Sequence, residues 1–195
     1  MPKTEDIRYS ALIVSSSEQF TLAVKKYLKG FITIDSVGSI SLARRFFLER
    51  YYDLIIVNAP LSDEPGEEFV LDASDKSNSL ILFVVPESVY NGVCDRVMSS
   101  GVYVLSKPVN SRIMERSIRF LMSVRKKILK VELKSRATED KMEELRIVTK
   151  AKFCLVEKKK MTEEEAHRYI GKQAMNSGLS RKRIAEKIID DMDDS

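Results

Sequence analysis

The sequence has no tryptophan, a single histidine, two cysteines and only 7 glycines and 5 prolines in 195 residues. Each shortage excludes something. So few glycines and prolines rule out a collagen-like or low-complexity chain, and a hydrophobic fraction of 44% rules out disorder throughout. The two cysteines, Cys94 and Cys154, lie far apart in helix-like stretches. They offer neither a disulfide framework nor a zinc-ligand spacing, and they point to a reducing compartment. The one histidine, His167, has no serine or cysteine with a supporting acid spaced near it, and no convergent catalytic set is legible. No run of about 18 apolar residues is present to span a membrane. The polar start Met1-Pro2-Lys3-Thr4-Glu5-Asp6 lacks the apolar segment of a secretory signal. The expectation is a cytoplasmic, non-enzymatic protein that needs no metal and no cofactor.

Charge is unevenly supplied. Residues 1–110 carry 11 Lys and Arg against 14 Asp and Glu, whereas residues 111–195 carry 22 against 15. An acidic front half followed by a basic back half reads as a regulatory or docking module ahead of a polyanion-binding one. The plainer account is that long surface helices are simply rich in Lys and Glu.

What is present in the first 110 residues is an alternation. Five short apolar runs, Ala11-Leu12-Ile13-Val14, Phe31-Ile32-Thr33-Ile34, Leu54-Ile55-Ile56-Val57, Leu80 to Val85 and Val102-Tyr103-Val104-Leu105, are rich in Val and Ile and bounded by Ser, Asp, Asn or Gly. Buried parallel strands read this way. Helix-length amphipathic segments lie between them: Glu18–Lys29, Leu42–Arg50 and Ser88–Ser99. In the second, Leu42, Phe46, Phe47 and Leu48 fall beside Ala43 and are expected to cover a sheet. The fold class predicted is a doubly wound, five-stranded parallel α/β domain over residues 1–122.

After Pro108 the texture changes. Residues 111–156 contain neither Gly nor Pro, and a stripe of alternating three- and four-residue steps runs through Leu121, Val124, Ile128, Val131, Ser135, Thr138, Met142 and Leu145. That is a heptad seam with a polar centre, expected to form a coiled-coil linker over residues 111–145 and to pair two copies of the chain. Its polar centre leaves monomer and dimer both open. Further on, Thr162-Glu163-Glu164-Glu165 has the form of a capping box, Asn176-Ser177-Gly178 ends the helix that follows, and Ser180 is placed to cap a last one. With Leu145, Val148, Phe153, Leu155 and Val156 these predict a C-terminal three-helix bundle over residues 140–195. Tyr169, Met161 and Met175 are expected in or at the edge of its core. The acidic end Asp190-Asp191-Met192-Asp193-Asp194 is expected to fray.

The order of elements, Lys107-Pro108 after the fifth run, and a third run ending Ile56-Val57-Asn58 resemble the receiver domain of bacterial response regulators, a flavodoxin-like fold, over roughly residues 8–122. The resemblance implies a phosphorylation pocket in which Asn58 stands where the family has its phospho-accepting aspartate. Ser15 and Ser16, with Ser17, stand where it has an acidic pair. Val85 replaces its Ser or Thr, and Lys107 is its lysine. An amide nitrogen is no useful nucleophile, and serines cannot replace the carboxylates that hold Mg²⁺. Conventional phosphorylation is therefore not expected. Lys107 is expected to pair with Asn58 or Asp63, while Asp53 begins the third strand at the far end.

The stretch from Met161 to Met175, with its Glu165-Ala166 and Gln173-Ala174-Met175 and the later Ser180-Arg181-Lys182-Arg183-Ile184-Ala185-Glu186, resembles the ANTAR domain. The resemblance covers about residues 140–192 and implies an RNA-binding transcription antiterminator. Gly171 stands where that family commonly has a charged side chain. Independently of the family, Arg168 and Lys172 share one helix face. Lys158-Lys159-Lys160 precedes that helix, and Arg181, Lys182 and Arg183 open the next one, where backbone amides also favour anions. The candidate RNA-binding residues are Lys159, Lys160, His167, Arg168, Lys172, Gln173, Arg181, Lys182 and Arg183, with His167 able to stack on an unpaired base. The partners implied are leader-transcript stem-loops, a second copy of the chain and a sensor protein docked on the front half. Two other readings stay open: a helix-turn-helix reader of duplex DNA, and a protein-interaction scaffold that touches no nucleic acid.

Overall fold

A computed structural model describes residues 8–193. The start Met1–Asp6 and the final Asp194 lie outside the described residues. Two compact units are present, residues 1–127 and 128–195.

The first unit is built on five strands, β1 (Tyr9–Val14), β2 (Phe31–Val37), β3 (Leu54–Asn58), β4 (Leu80–Val85) and β5 (Tyr103–Ser106). They form one all-parallel sheet in the order β2-β1-β3-β4-β5. The helices are α1 (Glu18–Lys25), α2 (Ile40–Glu49), α3 (Glu67–Lys76), α4 (Tyr90–Val97) and the opening of α5 (Ser111–Lys159). Successive strand side chains alternate between the two faces. Leu12, Val14, Ile55, Val57, Ile81 and Phe83 meet one helical layer, including Ala43, Phe69, Val70 and Val97. Ala11, Ile13, Leu54, Ile56, Leu82 and Val84 meet the other, made of Val24 and Leu28 with Met114, Ile118 and Leu121. Because both faces are covered, the inner strands are apolar at nearly every position.

Three expectations are corrected in this unit. Leu42 is exposed and Leu48 is 84% exposed, while Ile40 and Ala43 take the sheet-facing side of α2. Leu48 follows Ala43 by five residues, which turns it well away from the sheet at about 100° per residue. The segment Ser88–Ser99 is not one helix; short 3₁₀ turns, Glu87–Val89 and Met98–Ser100, flank α4. Leu121, placed at the head of the seam, is only 5% exposed and packs with Met114 and Ile118 under the sheet.

The second unit joins the end of α5 to α6 (Glu163–Ser177) and α7 (Arg181–Asp193) around Ala151, Leu155, Ala166, Ile170, Ile184, Ala185, Ile189 and Met192. The capping box is complete. Thr162 Oγ1 accepts from the Glu165 backbone N–H at 3.3 Å, and Glu165 Oε2 accepts from the Thr162 N–H at 2.8 Å. Gly178 ends α6 in the left-handed region at φ 66°, and Ser180 Oγ accepts from the Arg183 N–H at 3.3 Å. Four side chains depart from expectation. Leu145 and Phe153 are each 65% exposed because the small core closes on Ala151 and Leu155, on the other side of α5, and Met175 is 79% exposed because it lies five residues past the buried Ile170 on α6 and so turns away from the core. Met192 is buried in that core, so α7 continues through the acidic end as far as Asp193.

Candidate functional site

At the carboxyl ends of the strands, β3 delivers Asn58 beside the β1–α1 turn. Asn58 is 6% exposed, and its amide nitrogen donates to Ser15 Oγ at 2.9 Å. Ser15 Oγ in turn donates to the Ser17 carbonyl and accepts from the Ser17 N–H at 3.1 Å. Ser17 then caps α1 by accepting from the Phe20 N–H at 3.2 Å, and Ser16 is exposed. Val85 is buried, and its carbonyl accepts from the Lys107 backbone N–H at 2.8 Å.

The Lys107 ammonium donates to the Ala59 carbonyl, and burial lowers its pKa. The expected pairing with Asn58 or Asp63 is thus replaced by a bond to backbone. Asp63 is already engaged: it accepts from the Ser41 N–H at 2.9 Å and the Ile40 N–H at 3.1 Å at the start of α2. Those bonds lower its pKa to about 2. With Ser15, Ser16 and Asn58 all neutral, the pocket does not fit the Mg²⁺ that receiver chemistry uses. Among the described residues no group of His, Cys, Asp and Glu side chains is arranged to hold a metal ion.

At the opposite end of the sheet, Asp53 forms a buried ion pair with Arg125, Nε to Oδ1 at 3.0 Å. Asp53 also accepts from the Ser10 N–H at 2.9 Å, and the Arg125 guanidinium lies 5.4 Å over the Tyr51 ring. The position of Asp53 is as expected, but Arg125 was missed. Its signal was available: Arg125 follows Leu121 by four residues, on the helix face that packs under the sheet.

In the second unit, α6 buries Ala166 and Ile170, which leaves His167, Arg168 and Lys172 exposed. His167 and Arg168 line a groove of about 390 Å³ with Glu163, Glu164 and Lys152. Within it Lys152 pairs with Glu163 at 2.7 Å, which lowers the Glu163 pKa. Gln173 is partly buried, and Lys160 and Arg181 are exposed while Lys182 is partly buried. A Cβ on Gly171 would lie 3.9 Å from the Arg181 guanidinium, an ordinary van der Waals contact, so the Arg181 side chain reaches α6 at this point.

Other cations already have intramolecular work. Lys159 lies 5.4 Å over the Tyr169 ring, Lys158 donates to the Met192 carbonyl near the end of α7, and Arg183 pairs with Glu186 at 3.4 Å. Tyr169 is accordingly half-buried, as expected. Sequence spacing groups basic residues but does not show which of them the fold has engaged.

Comparison with known proteins separates the two units. Residues 136–189 match the ANTAR domain family. The first unit resembles solved receiver domains. The signal receiver domain of a putative LuxO repressor protein from Vibrio parahaemolyticus has 22% identity and a TM-score of 0.57, covering 65% of this chain and 98% of that one. The signal receiver domain of an HD domain-containing protein from Pseudomonas fluorescens has 16% identity and a TM-score of 0.57, covering 67% and 98%. The chemotaxis response regulator CheY4 of Vibrio cholerae has 18% identity and a TM-score of 0.51, covering 59% and 99%. No curated protein matches the chain. At such identities the likeness establishes the fold and nothing more. Residues 136–189 are thus similar to the ANTAR domain, and they follow a domain with the receiver fold.

Proposed function

We propose that this protein is an RNA-binding transcription antiterminator, holding a leader-transcript hairpin against formation of a competing terminator. The observation that carries this reading is the exposed set His167, Arg168 and Lys172 along α6, within the span that matches the ANTAR family. Arg168 and Lys172 supply phosphate contacts, and the His167 ring supplies a stacking surface for an unpaired loop base. No covalent step is required, since tighter binding to one RNA fold shifts its equilibrium with the other.

The front half acts as an input module without conventional phosphorylation, because neither the nucleophile nor the metal-holding carboxylates are in the pocket. It also offers a docking surface for a sensor protein. Val131, Met142 and Leu145, all exposed along α5, support pairing of two copies, which would present two RNA modules together and raise effective concentration. Leu121 takes no part in that contact, and Val124 and Ile128 are partly buried.

The test is binding of the full chain to a two-hairpin leader RNA and to a matched DNA duplex across a salt series. Hairpin-selective binding that weakens on Arg168→Ala and on Lys172→Ala supports the proposal. Selective binding of the duplex would instead favour a helix-turn-helix reader. Equal, steeply salt-dependent binding of both would leave only a charged surface. Absence of binding to either would favour a protein-interaction scaffold.

A further inference from the structure

Phe153 lies between the buried Ala151 and Leu155 on α5, yet its own ring is turned to solvent. The ring is not isolated there. With Val156 and Met161 it gives apolar walls to a pocket of about 220 Å³ between the end of α5 and the start of α6. Val156 and Met161 pack against the small core behind them, which fixes those two walls. Lys152 and Glu163 line this pocket and also the groove that holds His167 and Arg168, so the two cavities adjoin.

The shared rim has a definite polarity. Lys152 Nζ donates to Glu163 Oε1 at 2.7 Å, from a side chain only 18% exposed, while the Glu163 side chain is 78% exposed. The lysine thus holds the carboxylate at the mouth of the pocket. A carboxylate accepts on both of its oxygens, and Lys152 engages one of them. Such a rim repels a phosphate and attracts an N–H donor. The pocket therefore offers an aromatic face, apolar walls and an anionic acceptor, in a space with room for one planar ring. Unpaired bases are held by this combination of stacking and edge hydrogen bonds.

We propose that this pocket takes one unpaired nucleobase of the bound RNA, its ring stacked on Phe153 and an N–H of its edge donated to Glu163. The proposal rests on the RNA-binding reading above and adds to it a second base site, separate from His167. The sugar-phosphate leaving the pocket enters the adjoining groove, where Arg168 stands. A negative side chain on an RNA-binding face thereby gains a role: it selects a base and turns the backbone towards the cations.

The test is binding of the full chain to a two-hairpin leader RNA in which each unpaired nucleotide is made abasic in turn, at matching positions of both loops. One position should lose about tenfold in affinity when its base is absent. Phe153→Ala should lose about as much on the intact RNA and nothing further at that position, because both changes remove the same stack. Phe153 is exposed, so its replacement leaves the core in place. The chain has no tryptophan, so Phe153→Trp sets a single indole in the pocket; the intact RNA should quench its emission and the abasic one should not. Glu163→Gln gives a readout of distinctive sign. Removing a negative charge from an RNA-binding surface tightens binding if charge alone matters, whereas loss of the base contact should weaken it about fivefold. Hairpin binding that is unchanged in Phe153→Ala, or unchanged or tighter in Glu163→Gln, overturns the base pocket and leaves the RNA-binding reading standing. A smaller species in light scattering of Phe153→Ala, with hairpin affinity retained, overturns it in favour of a contact between copies. Absence of hairpin binding by the unaltered chain overturns both readings.

Discussion

Asn58 sits in a pocket where Ser15 and Ser16 are neutral as well. Restoring the acid alone should not restore phosphorylation: Asn58→Asp incubated with acetyl phosphate and Mg²⁺ should keep its unmodified intact mass, because Ser15 and Ser16 still offer no carboxylate to hold the ion. A mass increase of one phosphoryl group would contradict this account.

The Asp53–Arg125 pair makes a second residue-scale prediction. Both side chains are buried, so Arg125→Met leaves a buried carboxylate and should cost about 3–5 kcal/mol in urea unfolding. Adding Asp53→Leu should recover most of the loss, since an apolar pair of similar volume removes the uncompensated charge.

Asp63 gives the chain a pH dependence with a definite sign. The backbone N–H groups of Ser41 and Ile40 lower its folded-state pKa from 3.8 to about 2. A lowered folded-state pKa adds stability that is fully present above 3.8 and is lost as pH falls through about 2. Unfolding midpoints should therefore fall between pH 4 and pH 2, and Asp63→Asn should flatten that part of the profile.

At the scale of elements, hydropathy and punctuation were most informative where local rules act alone. The five strands are legible because burial on both faces makes them short apolar runs. The start of α6 is legible because a capping box is local chemistry: Thr162→Ala should cost about 1 kcal/mol, read by thermal or urea unfolding. The stripe along α5 is less legible, since its period is visible but its neighbours are not. Leu121 keeps the period yet faces the sheet, whereas Val131, Met142 and Leu145 keep it and stay exposed. If those three pair with a second copy, Met142→Glu combined with Leu145→Glu should give a monomer by light scattering. Affinity for a two-hairpin RNA should then fall to that for a single hairpin.

At the scale of the whole molecule, the charge division is reflected in chemistry. The acidic half folds into a receiver-like sheet domain, and the basic half carries the ANTAR match. Arg168 and Lys172, read as phosphate contacts, should each reduce the slope of log affinity against log salt by about 1 when replaced by Ala. Lys159, whose ammonium lies over Tyr169, should change that slope less.

By itself the sequence determined the features that depend on neighbours along the chain. Those were the five parallel strands, the helix caps, the neutral residues at 15, 16 and 58, and the basic spacing on α6 and α7. Each follows from periodicity, turn chemistry or residue type, all local properties. Only the tertiary structure decided that Arg125 meets Asp53 from 72 residues away, that Leu121 is core and Phe153 is not, and that Asn58 turns its amide nitrogen to Ser15. Those outcomes depend on which surfaces the fold brings together, because burial and hydrogen-bond partnership belong to contacts across space and leave no period in the sequence.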